Sequence, residues 1–200
     1  MKIISLVFLL SISMLTAQTI KPISDAITDS MLLDNVYYKD TNNTLANCVG
    51  TWEYNNGTDY FKVTFTLIVK ELEYTNGTKK QYFDRLKAKY IYKKNGVVIY
   101  DNYGQLYLAP NTVNTKPSDL GSAFTKNSEI YFTYTEPSFV DCHRRKVGDL
   151  TIKRLTGLPG KMSWLRTTAT TYFDNSYCGD IHPDNSEFLI PANMILTKIN

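Results

Sequence analysis

The chain has 200 residues, with 22 Lys and Arg against 19 Asp and Glu, a formal charge of +3 that is too balanced to demand a polyanionic partner. Hydrophobic residues make up 43% and aromatics 13%, enough for a packed core, which excludes wholesale disorder. Fifteen Tyr stand beside only two His and three Cys, so the usual catalytic and metal-binding side chains are scarce.

Residues 1–17 read as a secretory signal peptide. Lys2 gives a positive start, Ile3 to Leu15 an apolar stretch diluted by serines, and Ala17 a small residue before Gln18. Cleavage after Ala17 leaves a mature chain of 183 residues at +2. The apolar stretch falls short of the roughly 20 residues that span a bilayer, and no second one follows, so no transmembrane segment is expected. A lipid anchor would need Cys at the cleavage point, and the first is Cys48. The expected location is secreted or periplasmic, an oxidising space.

Residues 18–45 read as an N-terminal arm with little core of its own, and 46–200 as a single β-domain. From Trp52 to Tyr134 strand-like runs are separated by Asn56-Gly57, Asn76-Gly77 and Asn95-Gly96, each a hairpin signal because both residues tolerate positive φ. Phe61, Val63, Phe65, Leu67 and Val69 alternate with Lys62, Thr64 and Thr66, which puts one face in a core and the other in water. The phase shifts near Ile68, since Leu72 and Tyr74 continue on the other parity, and this predicts a β-bulge. Tyr82, Leu86, Ala88, Tyr90 and Tyr92 then share one parity, with Arg85, Lys87, Lys89 and Lys93 on the other.

Further strands are predicted at Val97–Tyr100, Gln105–Leu108, Glu129–Thr135, Lys146–Leu155, Met162–Tyr172 and Asn193–Ile199. Ala109–Asn127 reads as a loop with at most a helical turn at Pro117–Phe124. No 3.6-residue periodicity appears in the mature chain. The expectation is all-β: an antiparallel up-and-down meander of about eight or nine strands forming a barrel or sandwich.

Gly50-Thr51-Trp52 at the head of the first strand of this meander resembles the Gly-x-Trp opening of lipocalin-type barrels. A broader likeness covers most of the mature chain. Tyr37-Tyr38-Lys39-Asp40-Thr41-Asn42-Asn43, Val49-Gly50-Thr51-Trp52-Glu53-Tyr54, Leu189-Ile190-Pro191 and Asn193-Met194-Ile195-Leu196-Thr197-Lys198 resemble a family of small secreted Bacteroidetes proteins known as a domain of unknown function. The resemblance implies export and a β-rich fold, with no activity or site residue to transfer.

The reactive side chains concentrate in two segments, Asp141-Cys142-His143 and Asp174 to Asp184 with Cys178, Asp180 and His182. In an oxidising compartment a Cys142–Cys178 disulfide ranks first, and closing its 36-residue separation would stabilise the fold by about 3–4 kcal/mol. Cys48 is then a small buried hydrophobe, although pairing with either of the others is open. A zinc site on Cys142, His143, Cys178 and His182 has suitable ligand types but no CxxC knuckle and an awkward adjacent Cys-His pair. A Cys–His hydrolase on the same residues lacks a feature to lower the thiol pKa.

Residues 79–94 hold seven basic residues and one acid, Asp84, a local +6. Within this strand tyrosines and lysines fall on opposite parities, whereas nucleic-acid binding needs both on one face, so a solvated face is the first reading, a weak anion contact the second, and no nucleic acid is expected. The same charges argue against an outer-membrane barrel, where lipid-facing Lys costs roughly 2–4 kcal/mol at midplane. Asn42-Asn43-Thr44, Asn56-Gly57-Thr58 and Asn76-Gly77-Thr78 match the N-glycosylation pattern, which turn chemistry explains for the latter two. The reading is a secreted non-enzymatic β-barrel module, without cofactor, that binds a small apolar ligand or a surface partner. Trp52, Phe61, Phe65, Tyr90 and Tyr92 are the candidate ligand-binding residues. The alternative is an extracellular hydrolase or metal-binding protein centred on Cys142, His143, Cys178, Asp180 and His182.

Overall fold

The computed structural model describes residues 18–29, 33–75, 77, 79–103, 120–137, 145–172 and 188–199. Its strands are β1 (Thr19–Pro22), β2 (Val36–Lys39), β3 (Gly50–Asn55), β4 (Asp59–Thr75), β5 (Lys79–Lys94), β6 (Val97–Asp101), β7 (Leu120–Lys126), β8 (Glu129–Pro137), β9 (Arg145–Arg154), β10 (Lys161–Tyr172) and β11 (Asn193–Lys198). Asn56-Gly57 and Asn95-Gly96 each connect a pair of antiparallel strands. At the β5–β6 hairpin Asn95 (φ 50°) and Gly96 (φ 79°) both take the left-handed values of a type I′ turn. The bulge after Ile68 is present too, with the β4–β5 register shifting between Ile68 and Glu71 and Lys70 held at φ 56°.

β3, β4, β5, β7, β8, β9, β10 and β11 run antiparallel in sequence order, and β11 returns to β3 through Thr197↔Glu53 and Lys198↔Trp52. The result is an eight-stranded up-and-down barrel, with β1, β2 and β6 outside the ring. One edge of β5 is paired along its length with β4. The other edge is divided: β2 takes Gln81–Phe83 in parallel, β7 takes Lys87 and Ala88, and β6 takes Ile91–Lys94.

Two readings change. The stretch 109–127 contains β7, which the sequence hides because after Leu120 its buried positions are polar (Ser122, Thr125) and a register shift before Phe124 breaks the alternation. Gly121 lies against Lys87, where an added Cβ would come within 3.4 Å of Nζ. The arm 18–45 also contributes to the core: Ile23, Val36, Tyr38 and Leu45 are buried, and Tyr38 stacks on Phe83 at 5.0 Å. It covers the outward side of lower β5, which is why Gln81 and Phe83 are buried on the parity that faces water higher up the strand. The predicted strand Gln105–Leu108 lies outside the described residues.

Inside the ring, alternate residues of every strand are buried: Trp52 on β3, Phe61, Val63 and Phe65 on β4, Leu86 to Tyr92 on β5, Ile130 to Tyr134 on β8, Leu150 and Ile152 on β9, Met162 and Trp164 on β10, and Met194 and Leu196 on β11. An eight-stranded barrel has an interior just wide enough for side chains to fill or for one small ligand.

Candidate functional site

All five candidate ligand-binding residues point into this interior. Trp52, Phe61, Tyr90 and Tyr92 are fully buried and Phe65 is 1% exposed. Phe61 meets Trp164 edge-on at 4.8 Å and Tyr90 at 5.9 Å, while Phe65 meets Phe132 at 6.0 Å. β4 and β10, like β4 and β8, are separated by two strands around the ring, so these contacts cross the barrel. Aromatic pairs at such separations add about 0.5–1.5 kcal/mol beyond the area they bury. Tyr134 extends the cluster, touching Trp164 at 6.2 Å and Phe188 at 5.7 Å.

The end of the barrel where β3 begins is closed by residues 40–48. Asp84, 3% exposed, is the centre of this closure: its Oδ1 accepts from Tyr37 Oη at 2.6 Å and the Lys70 amide at 3.0 Å, and its Oδ2 from the Asp40 amide at 2.9 Å. Asp40 Oδ2 in turn accepts from the amides of Leu45 and Ala46, both at 2.9 Å, and starts the 3-10 turn Ala46–Cys48. Trp52 Nε1 donates to the Cys48 carbonyl at 2.8 Å, and Arg154 Nη1 to the Asn47 carbonyl at 2.8 Å. The Arg154 guanidinium and Lys198 ammonium lie 5.0 and 5.5 Å from the Trp52 ring centre. Burial pushes the Cys48 thiol up to about 11, which suits an inert core residue. It also raises Tyr38 to about 12, with the hydrogen bond to Asp29 adding to the effect, and raises Tyr37 further with help from Asp84.

The outer wall of β3–β5 has a different character. Register places Thr51, Thr64 and Lys89 in one cross-strand row, Glu53, Lys62 and Ile91 in the next, and Asn55, Tyr60 and Lys93 in a third. Thr51 and Thr64 share a hydrogen bond at 3.0 Å, and Thr64 and the Tyr103 hydroxyl one at 2.8 Å. Tyr60 Oη donates to Glu53 at 3.1 Å. The Lys62 ammonium sits 5.2 Å from the Tyr103 ring centre and that of Lys93 5.6 Å from Tyr60, while Lys89 Nζ donates to the Tyr103 carbonyl at 3.3 Å. Burial raises both phenols above their ordinary value; the hydrogen bond to Glu53 adds to this at Tyr60, while at Tyr103 the bond to Thr64 opposes it and the Asp101 charge adds to it. Lower on the same wall Arg85 pairs with Glu71 at 3.7 Å and with Glu73, and Lys87 with Glu71 at 3.3 Å.

In the upper half of β5 the parity argument holds: Tyr90 and Tyr92 point in and Lys89 and Lys93 out. Lower down it fails, because Phe83 lies on the outward parity with the Arg85 guanidinium 4.7 Å from its ring centre. The aromatics that join the upper basic face come from other segments. Tyr60 shares its parity with Lys62 and was legible from the alternation in β4; Tyr103 arrives from the chain beyond β6, and nothing local signals it. Cys142, His143, Cys178, Asp180 and His182, on which the disulfide and the zinc or hydrolase arrangements rest, lie outside the described residues. Arg145, three residues after Cys142, is paired with both Pro137 and Tyr172, so β8, β9 and β10 end at one level. Among the described residues the cysteine present is Cys48, which is buried and free, and no group of three or more His, Cys, Asp or Glu gathers as a metal site. Nor, among them, is any helix long and apolar enough to cross a membrane.

No curated protein and no solved structure matches the chain. A family model does, over residues 1–199, and the chain therefore belongs to the Family of unknown function (DUF6705).

Proposed function

We propose that this protein is an exported, non-enzymatic β-barrel module that engages its partner through its outer wall, while its interior serves as a folding core. The observation that carries the reading is the ring contact across the barrel, Phe61 to Trp164 at 4.8 Å, supported by Phe65 to Phe132 at 6.0 Å. Rings that touch across an eight-stranded barrel occupy the space an apolar ligand would need. On this reading Trp52, Phe61, Phe65, Tyr90 and Tyr92 stabilise the fold and bind nothing. Export follows from the leader at residues 1–17, and a water-facing wall from its charges, since Lys62, Lys89 and Lys93 would each be costly against lipid.

The test is a titration of the full chain with 8-anilinonaphthalene sulfonate and with a long-chain fatty acid, read by quenching of Trp52 and Trp164. The expected result is no saturable quenching. Stoichiometric uptake that Phe61→Trp or Phe65→Trp blocks would overturn the reading and restore the interior as a ligand site.

A further inference from the structure

We propose that the upper outer wall of β3–β5 binds an acidic polysaccharide: Lys62, Lys89 and Lys93 pair with its carboxylates, and the linked hydroxyls of Thr51, Thr64 and Tyr103 meet its sugar hydroxyls. The inference rests on the reading that the barrel acts through its exterior, and it identifies the partner. The whole chain is nearly neutral for its size, at +3, so a polyanion has to be recognised by a local arrangement.

The wall divides into two halves. Below, Arg85 and Lys87 are satisfied by Glu71 and Glu73. Above, among the described residues, Lys62 and Lys93 have no carboxylate partner, and each ammonium is held over a tyrosine ring. The rings are themselves fixed, Tyr60 by Glu53 and Tyr103 by Thr64. Cations held in this way lose less side-chain freedom on binding than lysines moving freely in solvent. Along β5, Lys89 and Lys93 are four residues apart, about 14 Å on a strand, so the face presents charge along a line. That geometry fits an extended chain with repeated anionic groups.

The same details select among polyanions. Base stacking needs an open aromatic face, and here ammonium groups already lie against the Tyr60 and Tyr103 rings. Among the described residues the upper half presents no guanidinium fork suited to phosphate, and Arg85 below it is engaged by glutamates. What remains is point positive charge beside hydroxyls, with the one carboxylate described in these rows, Glu53, accepting from Tyr60; this matches a ligand whose carboxylates are interspersed with sugar hydroxyls.

Polygalacturonate is the probe, titrated into the full chain at low and at physiological salt, with single-stranded DNA and anionic lipid vesicles in parallel. Saturable binding of polygalacturonate that weakens with salt is expected, and the triple variant Lys62→Gln/Lys89→Gln/Lys93→Gln should lose about tenfold or more in affinity. A control triple, Lys39→Gln/Lys80→Gln/Lys126→Gln, removes the same charge from other exposed positions and should change affinity less than about twofold. Melting curves confirm that both variants fold. Equal losses in the two triples, equal binding of DNA or vesicles, or no binding of polygalacturonate overturns the inference. None of these results bears on whether the interior takes up a hydrophobic probe, so failure here and failure of the exterior-binding reading are separable.

Discussion

Replacing Asp84 with alanine deletes the acceptor of three hydrogen bonds at once. Tyr37 Oη, the Asp40 amide and the Lys70 amide all donate to it, the first two in a buried setting and the third in a partly buried one. A hydrogen bond to a charged group contributes about 1.5–3 kcal/mol, and a buried donor left without a partner costs about 1–3 kcal/mol. Three such bonds exceed what the variant recovers by no longer burying a carboxylate, and the expected net loss is about 3–4 kcal/mol. Two further features depend on this group: the left-handed Lys70 in the β4 bulge, and Asp40, whose other hydrogen bonds start the 3-10 turn beneath Trp52. The assay is denaturant unfolding followed by tryptophan fluorescence, with the slope checked for constancy. Tyr37→Phe removes one donor and should lose about 1–2 kcal/mol, and combining it with Asp84→Ala should add little. Hydrogen exchange supplies a local readout, with the amides of Asp40 and Lys70 losing protection first. An Asp84→Ala protein within 0.5 kcal/mol of wild type, or full additivity of the two changes, would refute the idea that this carboxylate ties residues 37–46 to the barrel.

Alkaline pH should destabilise the fold through Cys48 and Tyr38. Both are raised in the native state, to about 11 and about 12, so their contribution is complete below their ordinary values of 9 and 10. It is lost as pH climbs through the folded values; thermal melts should be flat to about pH 9 and fall steadily above it, and a midpoint constant to pH 12 would contradict the assignment. Trp164→Ala should cost about 3–5 kcal/mol, because Phe61 and Tyr134 would line the space it leaves, and a loss below 1 kcal/mol would mean the ring does not fill the barrel. Under the proposed export to an oxidising space, non-reducing peptide mapping should recover Cys142 linked to Cys178 with Cys48 as a free thiol; any linkage through Cys48 would reverse that order of preference.

The parts of the fold that could be read from the chain are those with a single cause. Phe61, Val63 and Phe65 alternate because one side of β4 is core and the other water, and the break at Ile68 marks the bulge for the same reason. β7 escaped because a short strand with Ser122 and Thr125 inward after Leu120 has no apolar rhythm; Ser122 Oγ accepts from the Leu86 amide at 2.9 Å, a demand set by a strand distant in sequence. Tyr38 and Phe83 were equally opaque, since their burial depends on the arm folding back over β5. At the candidate site the lysines were visible and their aromatic partners only half so. Lys62 and Tyr60 share a strand, but Tyr103 reaches Lys62 through a chain reversal that no local pattern encodes.

The meeting of Trp52 with Lys198 has a consequence for how the molecule is made. The seam that closes the ring joins β3 to β11, so it cannot form until residues 193–198 have been synthesised. Before then β4 and β5, only three residues apart in the chain, can pair locally at little entropic cost, whereas the β3–β11 contact has to bring together ends about 145 residues apart. An emerging chain therefore holds an open, curling sheet with two bare edges, one on β3 and one on β10. Such edges invite pairing with another molecule. Loss of residues 193–198 would leave the chain in that state permanently, and premature termination should yield aggregates, not a smaller barrel.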